Sequence, residues 1–588
     1  MSQRYNLRSV SEVMNTLREK ERIEAPDIPS ESEEDHAEAW SDLEDDTGDS
    51  ESDVCAQEDQ APPTKKTKCG KTATCDGGSS KRGRRPNIVR GKDGHQWFDA
   101  PRQQSRSRSN TPTSFLPGPI GAAKQLKTPV EFWNLLFPDS LIEKIVVHTN
   151  EEIRRYRDAL EIDENRDRTY STIDIVEIKA YFGLLYFAGM QKTSHTNTED
   201  LWDPMYGSIM YRSTMSRNRF WFISKNLCFD DKITRVERRE TDKFAPIREV
   251  WEQFLSNCKL NYNPASYVTI DEQLVSFRGR CPFKVYNRSK PDKCGIKIFM
   301  LNDARTFYMF NAEPYVGKVI AAGTESVPSY YIHKLTEPLH GSKRHITCGN
   351  WFASVPIFKK MLSEHSITMV GALRKNKREI PEDFKRPGSV QSSKFAFDGQ
   401  MTLVAHTPKK NKVVIVLSTL HENDAINPET KKPEIIHFYN TTKGDTDSFV
   451  QLCHEYTTAR KTLRWPMRIW MTILDQGGIN AMILHNFNAA IIPKKRKDFL
   501  KELIQALVEP HLRLRLKIPA LRREIRLNIQ TILHEEDLPV RQVNKKQGRC
   551  ALCPRSKDRK SQSYCTKCGR VICEEHKIKL CVDCVAVD

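Results

Sequence analysis

Apolar residues follow two different periods along this chain, and the change of period divides it into predicted segments. Apolar positions three and four residues apart, typical of one face of an amphipathic helix, occur at 128–153, 174–190, 215–229, 466–488 and 497–534. Residues 119–265 are therefore predicted to be mainly helical, and a second helical block is predicted toward the carboxyl end.

Between these blocks lie shorter runs that are rich in β-branched and aromatic residues. Gly, Asn and Asp, which commonly flank strands, bound the runs SYVTIDEQL, CGIKIFMLND, TFYMFNAEPY and HITCGNWF. Helical patterns at 326–339 and 354–366 interrupt them, which predicts a mixed α/β domain. Residues 375–433 are more strand-like and are interpreted as an insertion. After it, EIIHFYN at 434–440 is predicted to be a returning strand, followed by a helix.

Residues 1–118 have the composition of a disordered region. Residues 31–60 contain fourteen Asp or Glu and no Lys or Arg, and basic and Arg/Ser/Pro-rich stretches follow. Such segments contain too little apolar surface to offset the entropy of an ordered chain. Their basic clusters have the spacing of a nuclear import signal or of a DNA-tracking arm, and a solvated linker is the alternative. They contain Lys65, Lys66, Lys68, Lys81, Arg82, Arg84 and Arg85.

The formal net charge is +17, although the acidic block contributes the opposite sign. The basic remainder favours a polyanionic partner such as nucleic acid, and a merely solvated basic surface is the alternative. No apolar run is long enough to span a bilayer, so no membrane association is predicted.

Two acidic residues have the placement that metal-dependent strand transfer requires. Such chemistry uses divalent cations held by a few carboxylates on rigid elements. Asp271 lies near the end of the predicted strand YVTIDEQL, and Asp447 lies in the first turn of a predicted helix. A cap, a turn or a salt bridge is the alternative role for each.

Several longer motifs resemble those of piggyBac transposases, in the same order along the chain. They are IVRGKDGHQW (88–97), MSRNRF (215–220), TIDEQLVSFRGRCPF (269–283), ITCGNWFASVP (346–356), VGALRKNKREIPE (370–382), YNTTKGDTD (439–447), RKTLRWP (460–466) and the terminal Cys/His cluster. The resemblance implies a ribonuclease H-like catalytic domain with a β-rich insertion, and a helical dimerisation and DNA-binding domain in two segments. It also implies cut-and-paste transposition at TTAA sites in double-stranded DNA, with three Asp residues holding Mg²⁺.

This chain departs from that pattern at the second of the three Asp positions. The first and third map onto Asp271 and Asp447, but the family's ITCDNWF reads ITCGNWF here, which places Gly349 at the second. A further family Asp, three residues after the third, is replaced by Val450. The neighbouring acids Glu337 and Glu364 fall in helical stretches, so neither is expected to replace the missing ligand. Mg²⁺ is therefore expected only if activity survives.

Basic residues are the candidates for DNA contact, because cations rather than metal-bound carboxylates neutralise phosphates. The motif RKTLRWP also contains Trp465, which is interpreted either as a base-stacking residue or as a core residue at a helix start. The candidates are Arg460, Lys461, Arg464, Trp465, Lys290 and Lys293.

Eight residues near the carboxyl end form four close pairs with zinc-ligand spacing: Cys550, Cys553, Cys565, Cys568, Cys573, His576, Cys581 and Cys584. Four pairs fill two closed tetrahedral sites, and so short a segment depends on metal to fold. The favoured pairing is interleaved, with Cys550, Cys553, Cys573 and His576 on one ion, and it resembles the family's cross-brace finger. Sequential pairing is the alternative.

The predicted fold class is therefore α/β plus α. The domains are 1–118 (disordered), 119–265 (helical, first segment), 266–374 (ribonuclease H-like, first segment), 375–433 (insertion), 434–457 (ribonuclease H-like, second segment), 458–536 (helical, second segment) and 547–586 (zinc finger). Three functions are weighed: a nuclear, dimeric, transposase-derived DNA-binding protein without cleavage activity, an active transposase, and a zinc-finger chromatin or ubiquitin-pathway adaptor.

Overall fold

The computed structural model describes most of the chain beyond its amino-terminal region. The described residues are 87–101, 115–162, 167–287, 293–317, 326–488, 490–535, 548–564 and 570–577. The predicted acidic block and the predicted import signal lie outside them.

Helices predominate in the first half of the described chain, as the apolar period predicts. They are α1 (Pro129–Leu136), α2 (Asp139–Leu160), α3 (Ile175–Met190), α4 (Thr198–Trp202), α5 (Ile209–Thr214), α6 (Arg217–Asn226), α7 (Arg235–Thr241) and α8 (Arg248–Asn261). Polar side chains begin several of them. Asp174, for example, accepts a hydrogen bond from the backbone N–H of Glu177 and so caps α3.

The remaining helices lie between and after the strands. They are α9 (Val327–Thr336), α10 (Val355–His365), α11 (Glu434–Thr442), α12 (Asp445–Glu455), α13 (Trp465–Phe487), α14 (Arg496–Leu516) and α15 (Arg523–Leu533). Within the described residues, no helix is both long and apolar enough to cross a bilayer.

A sheet of eleven strands forms the centre of the molecule. The strands are β1 (Ile88–Arg90), β2 (Gln96–Phe98), β5 (Tyr267–Ser276), β6 (Val285–Tyr286), β7 (Cys294–Asp303), β8 (Met309–Pro314), β9 (His345–Cys348), β10 (Thr368–Ala372), β11 (Ser393–Asp398), β12 (Met401–Lys409) and β13 (Lys412–Ser418). Their order in the sheet is β1-β2-β11-β12-β13-β10-β9-β5-β7-β6, with β8 paired to β7. Two-residue pairs also form between β3 (Gly118–Pro119) and β4 (Tyr262–Asn263), and between β14 (Gly548–Arg549) and β15 (Lys560–Ser561).

Strand β9 is parallel to both of its neighbours, whereas the other pairs in the sheet are antiparallel. Thr347 of β9 pairs with Thr269 of β5 on one side and with Val370 of β10 on the other. Parallel neighbours end at the same edge of a sheet, so residues that follow β9 lie beside the continuing strand β5.

The predicted insertion extends this sheet, because β13 pairs with β10. The hairpin β1–β2 then pairs with β11 at the far edge. Residues 87–101 were predicted to be disordered, and for them that prediction is wrong. Trp97 is fully buried and donates a hydrogen bond of 2.8 Å from Nε1 to the carbonyl of Glu379. Residues distant in sequence therefore supply both the hydrogen-bond acceptor and the hydrophobic core against which Trp97 packs.

A second prediction that the structure contradicts concerns residues 434–440, which form helix α11 rather than a strand. Ile435, Ile436 and Tyr439 are buried, whereas Glu434 and His437 are exposed. That pattern follows the helical period of 3.6 residues, although β-branched and aromatic residues suggested a strand.

The two helical blocks pack together in one core. Helix α3 packs on α14, and α1 packs on both α13 and α14. Tyr186 links the blocks, because its hydroxyl donates to the carbonyl of Leu474 at 2.7 Å and accepts from Nε1 of Trp133 at 3.1 Å. At Gly183 the helices approach so closely that a Cβ would lie 2.6 Å from Cγ2 of Val508.

Candidate active site and nucleic-acid interface

Asp271 lies where the pairing between β5 and β9 stops. Residues Tyr267 to Ile270 pair with β9, and Asp271 is the next residue of the longer strand β5. Asp271 was predicted to lie near the end of its strand, whereas it lies in the middle of β5. It is, however, the first residue of β5 beyond the part that pairs with β9. Its Oδ1 accepts a hydrogen bond of 2.8 Å from the backbone N–H of Glu272.

Gly349 follows β9 directly and lies beside this carboxylate. A Cβ at position 349 would lie 3.7 Å from Oδ1 of Asp271, and it would meet no other heavy atom of the described chain within 4 Å. The position therefore has room for a side chain that would reach Asp271. Glycine supplies no ligand atom there.

Two threonine hydrogen bonds bring Asp447 to the same edge of the sheet. Thr442 is the last residue of α11, and its carbonyl accepts a hydrogen bond of 2.7 Å from Oγ1 of Thr269. Its hydroxyl oxygen lies 2.7 Å from Oγ1 of Thr347. These bonds attach the α11–α12 junction to β5 and β9. Helix α12, which carries Asp447, packs against β5 and β7. Asp447 itself is exposed.

Tyr439 and Lys443 both lie within the electrostatic influence of Asp271 and Asp447. The pKa of Tyr439 is raised well above its usual range, first by burial and then by both carboxylates. The pKa of Lys443 is lowered because burial outweighs the opposing effect of Asp447 and Asp271. Lys443 Nζ also lies 5.7 Å from the centre of the Tyr439 ring. Sequence reasoning missed Lys443, although it stands one helical turn before Asp447.

The remaining acidic candidates are placed as the sequence indicated. Glu337 is exposed and acts on His340, which precedes β9, while Glu364 is exposed near the end of α10. Both precede a strand, whereas Gly349 follows one. Val450 packs on the hydrophobic core.

Comparisons with known proteins bear on the family of this chain. Residues 128–482 match the family model described as Transposase IS4. A solved structure of a piggyBac transposase in a synaptic complex with hairpin DNA is similar, with a TM-score of 0.72 and 40% identity. The match covers 80% of this chain and 100% of that one.

The chain belongs to the piggyBac transposase family. Among curated relatives, human PiggyBac transposable element-derived protein 3 is 24% identical over 407 residues, or 64% of this chain. The human Chimeric ERCC6-PGBD3 protein shows the same identity over the same length. The chain spans 63% of the first relative and 35% of the second.

The family implies divalent metal at the acidic site, and the residues present here do not fit the family's three-carboxylate set. Asp271 and Asp447 remain, but the position that faces Asp271 most closely has no side chain. The half-buried Lys443 lies close enough to both carboxylates to interact with them electrostatically. Hard cations such as Mg²⁺ require oxygen ligands in a defined geometry, so this donor set is incomplete.

Two of the predicted DNA-contacting arginines have intramolecular partners. Arg464 donates from Nη1 to the carbonyls of Ser224 at 3.0 Å and Lys225 at 2.7 Å, and from Nη2 to that of Leu227. It therefore satisfies the last carbonyls of α6, where a cation is also favoured by the helix dipole. Arg460 donates to the carbonyls of Thr193 at 3.1 Å and Thr196 at 2.8 Å, in the loop after α3.

Trp465 supports the core alternative, because its side chain is buried at the start of α13. Its ring centre lies 5.0 Å from that of Phe283 and 5.6 Å from that of Phe244. The motif RKTLRWP therefore connects parts of the fold through these residues, and DNA contact by Arg460 and Arg464 stays a prediction.

Exposed lysines remain as candidates for phosphate contact. Lys461 is exposed between Arg460 and Arg464, and Lys293 is exposed at the start of β7. The carbonyl of Lys293 accepts a hydrogen bond of 2.7 Å from the backbone N–H of Asn287. Lys290 lies outside the described residues.

Four of the eight predicted zinc ligands lie together. Ligand atoms of Cys550, Cys553, Cys573 and His576 are within 4.8 Å of one another, and four of their separations are between 3.2 and 3.7 Å. Ligands at about 2.0–2.3 Å from a tetrahedral Zn²⁺ lie about 3.5–3.8 Å apart, so these donors fit the ion. Cys565, Cys568, Cys581 and Cys584 lie outside the described residues.

Proposed function

We propose that this protein is a transposase-derived DNA-binding protein that does not cleave DNA strands. The observation that carries the proposal is the position of Gly349. A side chain there would point toward Asp271 without obstruction, yet the residue has none. The site therefore lacks a metal-ligating carboxylate at a position that has room for one.

Cleavage and strand transfer need charge neutralisation on the attacking and the leaving oxygen. Removing even an indirect partner of a bound metal typically weakens binding or activity about 10–100-fold, and a direct ligand contributes more. Lys443 adds positive charge beside the two remaining carboxylates, which further disfavours a divalent cation. Because the donor set does not fit, no catalytic step is assigned to this site.

DNA binding rests on different residues and does not require the acidic site. The solved relative was captured with hairpin DNA, and it shares 40% identity with this chain. The net charge of +17 favours a polyanion, and Lys461 and Lys293 are exposed cations. The partner class proposed is double-stranded DNA with terminal-repeat-like ends, bound in the nucleus by a homodimer.

Two finer structural features belong to the same proposal. The mixed sheet around β5, β9 and β10, with Asp271 at its edge, supports a ribonuclease H-like domain. The cluster of Cys550, Cys553, Cys573 and His576 supports a zinc finger with interleaved pairing. Its zinc would hold the short terminal segment in shape and would take no part in chemistry, because four protein ligands close the coordination sphere.

The test uses the full-length protein with a piggyBac-like terminal-repeat duplex and Mg²⁺. We expect a shifted complex whose affinity falls steeply with salt, and no nicked strand on a denaturing gel. Gly349→Asp tests the missing ligand, and Gly349→Ala controls for the added Cβ. Nicking by the unaltered protein that is abolished by Asp271→Asn would overturn the inactive assignment. Absence of binding at low salt would overturn the DNA-binding assignment.

The adaptor alternative makes a separate prediction for the same assay. If the terminal module contacts DNA, deletion of residues 547–588 weakens binding and lowers its salt dependence. Unchanged affinity after the deletion would instead assign the module to a protein partner.

A further inference from the structure

Three histidines from separate stretches of the chain meet on the opposite side of the α/β region from the acidic site. His333 lies in α9, His340 follows it before β9, and His365 ends α10. One ring nitrogen of each lies within 4.8 Å of those of the other two, and all three residues are half-buried. The rings of His340 and His365 are stacked, with centres 3.8 Å apart, and His333 lies 5.1 Å from His365.

We propose that His333, His340 and His365 form a second type of transition-metal site, which takes Zn²⁺ or a similar divalent ion through three imidazole nitrogens. Three histidines with a fourth position open to water or another ligand are an established donor set for zinc. Tetrahedral Zn²⁺ needs its nitrogens about 3.3 Å apart, so the site closes from the observed limit of 4.8 Å by a contraction of up to about 1.5 Å. The stacked rings of His340 and His365 must also rotate so that their lone pairs converge on the ion.

The hydrogen bonds around His340 prepare its ring for a metal. The hydroxyl of Thr336 donates to the carbonyl of Ile332 at 2.8 Å, so it accepts from Nε2 of His340, which lies 3.1 Å away. The proton is thereby assigned to Nε2 and the lone pair to Nδ1. Metal-binding histidines usually donate their other N–H in this way, which fixes the tautomer and the ring orientation.

The backbone acts in the same direction. The N–H of Gly341 donates to the carbonyl of His365 at 2.7 Å, which ties the two stretches together.

This site is separate from the acidic site and from the cysteine cluster. His340 and His365 precede the parallel strands β9 and β10, whereas Gly349 follows β9. A strand of four residues such as β9 is about 13 Å long at about 3.3 Å per residue. The metal would therefore lie where β9 and β10 begin, and it would hold α9 against the end of α10.

The test measures zinc bound to full-length protein after dialysis, by elemental analysis against protein concentration. We expect His365→Ala and His340→Ala each to contain one equivalent of zinc less than the unaltered protein. His437→Ala, which removes an exposed histidine from α11, should leave the zinc content unchanged. Equal zinc content in the unaltered protein and in both cluster variants overturns the proposal.

A second measurement on the unaltered protein does not depend on whether the variants fold. Co²⁺ is added after a mild chelator has removed zinc from the open three-ligand site while the closed four-ligand cysteine site stays filled. It should then produce d–d absorption without a thiolate-to-cobalt charge-transfer band, because the ligands are nitrogens. A spectrum with the thiolate band alone, or no spectral change, overturns the proposal. Thr336→Val should weaken Co²⁺ binding about 10–100-fold, and Thr336→Ser should restore it, because serine keeps the accepting hydroxyl.

Discussion

Oγ1 of Thr269 in β5 donates a hydrogen bond of 2.7 Å to the carbonyl of Thr442 at the end of α11. Both residues are buried, and the bond joins the strand that carries Asp271 to the junction that carries Asp447. The mutual placement of the two carboxylates thus depends on a contact between residues 173 positions apart.

Replacing Thr269 by Val removes this donor while keeping the shape of the side chain. The Thr442 carbonyl then loses a buried partner, which typically costs about 1–3 kcal/mol in the free energy of unfolding. Urea unfolding measures the change. The control is Thr441→Val, which removes an exposed hydroxyl from the residue just before Thr442. It should change the free energy of unfolding by less than about 0.5 kcal/mol. Equal effects of the two substitutions would contradict a specific role for Thr269.

Gly349→Asp should create a response to Mg²⁺ that the unaltered protein lacks. The new carboxylate would stand beside Asp271, so the two negative charges repel each other until a cation binds between them. At 100 times its dissociation constant, Mg²⁺ would then stabilise the variant by about 2–3 kcal/mol.

The measurement is the melting temperature with and without Mg²⁺, and Gly349→Ala serves as the control. A shift in the unaltered protein equal to that in the variant would mean that the existing residues already hold the ion.

Arg464→Gln and Lys461→Gln should separate a structural arginine from a DNA-contacting lysine. Arg464 donates to three carbonyls at the end of α6, so its loss should reduce stability by about 2–4 kcal/mol. Exposed Lys461 should have little effect on stability, but its loss should lower the slope of log affinity against log salt by about one.

Denaturant unfolding and DNA titrations at several salt concentrations provide the two readouts. A loss of salt slope in the folded Arg464→Gln variant would restore Arg464 as a phosphate contact.

Asp475 in α13 should make stability fall between about pH 4 and pH 6. Burial raises the pKa of this carboxyl from 3.8 to about 6, although the N–H of Thr458 and the hydroxyl of Thr457 oppose the rise. The folded state therefore holds the proton more tightly, and the stability gained in the protonated form is lost as pH rises through the folded pKa. At 1.36 kcal/mol per pKa unit, the loss amounts to about 3 kcal/mol.

The variant Asp475→Asn lacks this titration. Its free energy of unfolding should decrease less between pH 4 and pH 7 than that of the unaltered protein, by about 2–3 kcal/mol. Chemical denaturation at both pH values measures the difference, and parallel pH profiles would contradict the assigned pKa.

The two zinc pairings predict different stoichiometries for one double variant. If Cys550 and Cys573 share an ion, as their grouping in the structure suggests, replacing both by Ser should remove one zinc. Sequential pairing would place them on different ions, so two would be lost. Elemental analysis of the full-length variant distinguishes these results.

The sequence determined the features that depend on local period and on motif. The spacing of apolar residues predicted α10 closely, because only one face of that helix is buried. It also predicted α3, a longer apolar run whose residues 180–189 are buried on every side. The motifs around Asp271, Gly349 and Asp447 indicated the acidic site and its missing member, since each motif is contiguous. The paired cysteines indicated metal binding for the same reason.

Only the tertiary structure decided which residues meet across long separations. Trp97 is buried because the carbonyl of Glu379 accepts its N–H and the edge of the sheet packs on it. Residues 434–440 form a helix because the sheet buries only one side of that segment. The acceptors of Arg464, the Thr269–Thr442 bond and the meeting of His333, His340 and His365 likewise join distant stretches. Such partners are selected because their shapes pack closely and because buried polar groups must form hydrogen bonds. Neither property can be read from the spacing of residues along the chain.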